Sequence, residues 1–200
     1  YFPLGVHPPH LNLLVWENPE KFGMEFRPDV IVNCHSNPVW AIQGPRNKWF
    51  DFLRSMRFIV CVDVIPTEMT DWADIILASN DVLESWNCTM IEPPHTEGQC
   101  FRQPVVEPLH DTKSEEEIFY ELSERLGILE AYNDVINKTL GFEGHPELML
   151  ELDQKHSDRE IARRKGLLWN GEDIEWYMER GHSVTEKRLD KWYRPWDGTR

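Results

Sequence analysis

The chain has 200 residues, 40% of them apolar and including nine Trp and nine Phe, a composition that can bury a core and stands well apart from that of disordered chains. Its 35 acidic residues outweigh 21 basic ones, for a formal net charge of -14, which repels a phosphate backbone and argues against nucleic acid as a general partner. No apolar run approaches the roughly 20 residues that cross a bilayer, so no membrane span is expected, and the opening YFPLGVHPPH reads as an internal stretch without a signal peptide, which leaves localisation open.

Residues 1–29 are rich in Pro and aromatics and read as an irregular lead-in, in which LNLLVW fits a strand or a helical turn. Val30, Ile31 and Val32 form a short continuous apolar run, the pattern of a strand covered on both faces. A polar loop follows over 33–44. Pro45 then suits a first helical turn, with Trp49, Leu53 and Met56 on one face and Phe50 beside them. RFIVCVD is a second buried run, Thr67 is placed to cap a short helix in PTEMTDWA, and DIILA closes the series. Strand, helix, strand, helix, strand is the order of an α/β, Rossmann-like parallel sheet with flanking helices.

Residues 79–113 read as irregular connection, because Pro93, Pro94, Gly98, Pro104 and Pro108 interrupt regular elements. A signed helix follows: Ser114 and Glu117 make a capping box, Ile118, Phe119, Leu122 and Leu126 form the apolar stripe, and Gly127 ends it. Residues 129–200 read as a helical, Trp-rich extension in which Trp169, Trp176, Trp192 and Trp196 suit core or subunit-facing surface better than a binding platform. The expected division is therefore 1–29, 30–128 and 129–200.

Ligands of open parallel sheets gather beyond the carboxyl ends of the strands. That places Asn33, Cys34, His35, Ser36 and Asn37 beside Asp63, Val64, Ile65 and Thr67, with the segment from Ser79 onward as a third neighbour. Asp63 ends its strand where an acidic reader of ribose or base stands, and Thr67 is placed to donate to a phosphate at a helix start. The glycine fingerprint of dinucleotide folds is missing. Cys34 and His35 are adjacent, so on an extended segment they face opposite sides and do not act as a nucleophile–base pair. Glu84 and Trp86 follow the third strand and are candidates for a substrate funnel, with helix-start packing as the alternative. Cys61 reads as a small buried hydrophobe, whereas Cys34 and Cys88 read as loop residues. No Cys or His spacing suggests a metal ligand.

Taken together, Asn37-Pro38-Val39, the run FIVCVDVIPTEMTDWADIILAS, LES and FRQPVVEPLHDTKSEEEIFYELSERLGI resemble the molybdopterin oxidoreductase family, whose molybdenum or tungsten is held by two molybdopterin guanine dinucleotides. The likeness covers 30–128, about half of the chain. It implies a cofactor-binding α/β domain within a catalytic subunit, with 129–200 leading toward a further C-terminal domain. It also implies a small-molecule substrate, two-electron oxygen-atom transfer or hydroxylation, an iron–sulfur electron-transfer subunit as partner, and a 4Fe-4S cluster in an N-terminal part outside this chain. Within the family the likeness leans to the polysulfide, thiosulfate and arsenate branch and to relatives acting on aromatic compounds. The resemblance carries Asn37, Asp63, Thr67 and Glu68 onto nucleotide-binding positions and Asp74 onto a structural one. His35 stands where the family has glycine. The family's cluster cysteines and metal-ligating residue have no counterpart here, so no residue of the chain is expected to bind the metal. The rival expectation is a free-standing nucleotide-binding or interaction module without redox chemistry.

Overall fold

Three β-branched runs become the strands β1 (Val30–Cys34), β2 (Phe58–Asp63) and β3 (Ile75–Ala78), which pair in parallel in the order β1-β2-β3. The computed structural model describes residues 10–41, 46–91 and 96–186, and the chain divides into two units, Tyr1–Ser79 and Asn80–Arg200. The division falls inside the stretch 30–128 that the sequence groups together. Trp192, Trp196, Pro45, Pro93 and Pro94 lie outside the described residues.

In the first unit LNLLVW is helical, as α1 (His10–Glu17). A four-residue helix α2 (Pro38–Ala41) and the longer α3 (Arg46–Ser55) connect β1 to β2. Leu13, Trp49, Phe52, Leu53 and Met69 pack with Ile59 and Cys61 into one buried cluster, with Ile31 and Phe50 partly buried at its edge. The buried face of α3 is thus completed by Phe52, which the spacing of Trp49 and Leu53 had not singled out.

One sheet face carries the packed cluster, although Ile76, in register with Cys61 on that face, is 55% exposed. The register places Val30 beside Phe58, Val32 beside Val60 and Val60 beside Ile75, and Val30, Val32 and Ile75 are 46%, 44% and 45% exposed. The expected burial of both faces therefore fails along the amino-terminal half of the sheet, and only near Val62, fully buried, does that face close. The physical reason is that the hydrophobic cluster built by α1 and α3 includes Ile31, Ile59 and Cys61, the alternate residues of β1 and β2.

The second unit corrects the expectation of irregular chain over 79–113. β4 (Asn87–Ile91) and β5 (Thr96–Arg102) form an antiparallel pair, and β6 (His182–Glu186) joins β5 on its other side. Prolines 104 and 108 lie after β5, so they bound the strand instead of breaking it. Cys88 lies in β4 and Cys34 in β1, so neither is a loop residue.

Four helices accompany this sheet: α4 (Glu115–Arg125), α5 (Leu129–Leu140), α6 (Asp158–Asn170) and α7 (Ile174–Arg180). The capping box of α4 is formed in both directions, Ser114 Oγ accepting from Glu117 N–H and the Glu117 carboxylate accepting from Ser114 N–H. Its buried residues are Ile118, Tyr120 and Ser123, while Leu126, assigned to the stripe from spacing, is 68% exposed. Leu126 sits at the C-cap, beyond the last turn that packs.

Two asparagines on α5 hold the chain between the short 3-10 turns and α6. Asn137 accepts from Leu150 N–H at 2.8 Å and donates to Leu150 C=O at 3.0 Å, as a neighbouring strand would. Asn133 accepts from the Tyr120 hydroxyl at 2.8 Å and donates to the carbonyls of Leu152 and Gln154. Both are essentially inaccessible to solvent, so these bonds replace those that water would make. Across the unit, α6 meets the sheet through Gly166, where a Cβ would lie 2.8 Å from the Tyr177 ring and 2.9 Å from that of Phe101. Those two rings stack with centroids 3.9 Å apart.

Candidate functional site

The parallel sheet directs the ends of β1 and β2 to one edge, because Cys34 is in register with Val62. His35 N–H donates to Val62 C=O at 3.0 Å, extending the ladder one residue into the loop. Asn33, buried on the core face, donates from Nδ2 to Ser36 C=O at 2.6 Å and folds the chain back on itself. The loop then meets its neighbour directly: Asn37 Nδ2 donates to the Glu68 carboxylate. The stretches 33–37 and 63–68 thus lie side by side, as the strand order requires. The clasp by Glu68 was not foreseen as a contact, although Glu68 stood in the matched Thr-Glu pair.

Asp63 is half-buried at the end of β2. One carboxylate oxygen accepts from Val64 N–H at 2.9 Å and the other stands 3.4 Å from the Thr67 hydroxyl. A carboxylate offers about four lone-pair directions, so acceptor capacity remains for a ligand. Val64 and Ile65 flank it with exposed apolar surface. Asn37 Oδ1 is buried without a hydrogen-bond partner among the described residues, a costly condition for an amide oxygen unless something donates to it.

Thr67 does not cap a helix. The following element is a 3-10 turn at Thr70–Trp72, without a side-chain cap, and Thr67 N–H donates to Thr70 Oγ1 at 3.1 Å. The expected phosphate site at a helix start is therefore absent here, and the Thr67 hydroxyl serves Asp63 instead. Asp74 has the structural place expected of it, accepting from Ile59 N–H at 2.8 Å and fixing the start of β3 against β2. Cys61 is fully buried, donates to Met69 C=O at 3.3 Å, and has its thiol pKa pushed up by burial. It is a core residue.

His35 has φ of 43°, the only positive value at a non-glycine residue among the described ones. This is the position at which the resembled family has glycine. The left-handed region costs a residue with a Cβ about 1–2 kcal/mol, so the chain keeps a backbone shape that glycine would adopt freely. Just past the loop, exposed Trp40 carries the Arg46 guanidinium 3.5 Å above its ring centroid. Nothing in the spacing of these two residues revealed that pair.

Glu84 and Trp86 belong to the second unit, where the structure gives both local partners. The Glu84 carboxylate accepts from Asp81 N–H at 2.9 Å and from Leu109 N–H at 3.0 Å. Trp86 packs on the cluster of Cys88, Phe101, Ala162, Ile174 and Tyr177, and its backbone N–H donates to the Asp158 carboxylate at 3.3 Å. Glu84 lies in a turn and Trp86 just ahead of β4, so neither stands at the helix start that the packing alternative expected, and their contacts are local to the second unit.

The donor and acceptor set at the sheet edge fits the nucleoside end of a guanine dinucleotide. Guanine presents N–H donors on its edge, and Asp63 and Asn37 Oδ1 are acceptors. For phosphates the fit is narrower: neither 33–37 nor 63–67 contains Lys or Arg. The Cys34 thiol and the His35 imidazole come within 4.8 Å of each other, so the positive φ at His35 brings together a pair that an extended segment would have turned to opposite sides.

No protein-family model matches the chain, and no curated protein matches it. Among solved structures it is similar to acetylene hydratase from Pelobacter acetylenicus, with a TM-score of 0.57 and 17% sequence identity over 89% of this chain. The match spans 21% of the hydratase chain, so this chain corresponds to about a fifth of that protein's length. At this identity the likeness is one of fold.

Proposed function

We propose that the chain is the nucleotide-binding segment of the catalytic subunit of a molybdenum or tungsten enzyme, and that its sheet edge holds the guanine end of a molybdopterin cofactor. The observation that carries this proposal is the paired loop edge: Asp63 with unused acceptor capacity beside an orphaned Asn37 Oδ1, on loops clasped together through Glu68. Two further lines support it. The residues over 30–128 resemble the molybdopterin oxidoreductases, and the fold is similar to that of acetylene hydratase.

In this proposal Asp63 accepts from guanine or ribose, Val64 and Ile65 cover an apolar face of the nucleoside, and Asn37 accepts one further donor. Asn33, Cys34, Ser36 and Thr67 shape the two loops, and His35 lies on the phosphate side. The bound cofactor would supply a metal centre for two-electron oxygen-atom transfer or hydroxylation, with electrons passed to an iron–sulfur partner. The neighbour's name describes addition of water, so reaction type is to be read from cofactor and metal, not from fold. The metal ligand, a 4Fe-4S cluster and the substrate pocket belong to other parts of a longer protein.

The test is the molybdenum, tungsten, pterin and guanine nucleotide content of the purified full-length protein. Metal together with pterin and guanine nucleotide is the expected result. Folded protein with guanine nucleotide but without pterin or metal would favour the free-standing nucleotide-binding module, and folded protein without any of the three would overturn the site itself.

A further inference from the structure

In the second unit residues of β4, β5, α5 and α6 line a half-open cavity of about 330 Å³: Cys88, Gln99, Thr139, Leu140, Lys165, Leu168 and Trp169. Its size is at the lower end of ligand pockets, about 300–1,000 Å³. Its polar groups are mostly donors. Gln99 is only 6% exposed and uses its carbonyl oxygen to accept from the Cys88 thiol at 3.0 Å, which leaves the amide NH2 as its donor. Lys165, half-buried on α6, spends one ammonium proton on Cys88 C=O, and Thr139 adds a hydroxyl.

No carboxylate among the described residues lines this cavity. Among the described residues none forms an ion pair with Lys165, although the chain as a whole carries 35 acidic residues against 21 basic ones. The carboxyl within electrostatic reach of the ammonium, Glu116 on α4, has its pKa raised by burial and does not itself line the cavity. Cys88 does not answer the charge either: burial pushes its thiol up to about 11, so it stays neutral. A half-buried ammonium facing donors and apolar walls is an arrangement that an anion completes. Leu140, Leu168 and Trp169 add the apolar part of the recognition.

We propose that this cavity is a binding site for a small organic anion with an apolar body, an aliphatic or aromatic monocarboxylate. The carboxylate accepts from Lys165 Nζ and Gln99 Nε2, and the body lies against Leu168 and the Trp169 indole. The site is separate from the sheet edge of the first unit and does not depend on what that edge binds.

Benzoate and its neutral isostere benzamide are the probes, titrated calorimetrically into the full-length protein. Wild type is expected to bind benzoate at least tenfold more tightly than benzamide. Lys165→Met removes the charge and should weaken benzoate at least tenfold. Thr139→Phe places a large side chain at an exposed lining position and should weaken both probes. Absence of benzoate binding at millimolar concentration, equal affinity for the two probes, or undiminished binding by Thr139→Phe would each overturn the proposal.

Discussion

Polar side chains in the two units are bonded in different ways. In the second, Asn133 and Asn137 spend both their oxygen and their nitrogen on partners within the unit, and both Glu84 oxygens accept from backbone N–H groups. In the first, at the carboxyl edge of a parallel sheet, Asn37 keeps a buried oxygen without a partner and His35 holds a strained backbone. Polarity beside a turn therefore says little about function. An unpaired buried atom is not decisive by itself, since Trp49 Nε1 in the core of the first unit also has no partner among the described residues; Asn37 Oδ1 differs in lying at the carboxyl edge of the sheet, where ligands of such sheets gather.

The comparison breaks most visibly at Asn137. Asn137→Ala strips the partners from the N–H and C=O of Leu150, in a site closed to water, and each buried unsatisfied group costs about 1–3 kcal/mol. A loss of about 3 kcal/mol in chemical denaturation is expected, and a change under 1 kcal/mol would mean that water enters and takes over both bonds.

Gly166→Ala is the next largest. A helix interior ordinarily gains about 1 kcal/mol from this exchange, but here the new methyl meets the stacked rings of Phe101 and Tyr177 at under 3 Å. Overpacking of this kind costs about 1–3 kcal/mol, so a net loss of up to about 2 kcal/mol should appear in chemical denaturation. A stabilised variant would show that α6 and β5 can move apart freely.

The smallest effect, and the one of opposite sign, belongs to the first unit. His35→Gly relieves about 1–2 kcal/mol of left-handed strain and loses about 0.4–1 kcal/mol through the freer unfolded chain, for a net gain centred on about 0.8 kcal/mol. Destabilisation in the same denaturation experiment would show that contacts of the imidazole outweigh the strain.

The sequence carried the parallel sheet well, because FIVCVD and DIILA are β-branched runs whose order admits few topologies. α4 was legible from Ser114 and Glu117, a reciprocal pair with a fixed spacing. The β4–β5 hairpin was not, since its strands include Asn87, Gly98 and Gln99, poor strand formers held in place by pairing and by α6. β6 pairs with β5 across more than eighty residues, a distance that local pattern does not bridge. At the candidate site, topology placed Asp63 and the 33–37 loop on one edge from sequence alone. The Glu68 clasp, the Thr67 bond to Asp63 and the backbone bonds of Glu84 depend on where side chains point, and periodicity does not encode that.

The central claim is that Asp63 receives a guanine nucleoside at this edge, and guanine nucleotide retained by full-length Asp63→Ala protein tests it most directly. Hydrogen bonds to a charged acceptor are worth about 1.5–3 kcal/mol each, so retention after dialysis should fall at least tenfold while the unfolding midpoint stays close to wild type. Nucleotide and pterin content equal to wild type in the folded variant would contradict the assignment.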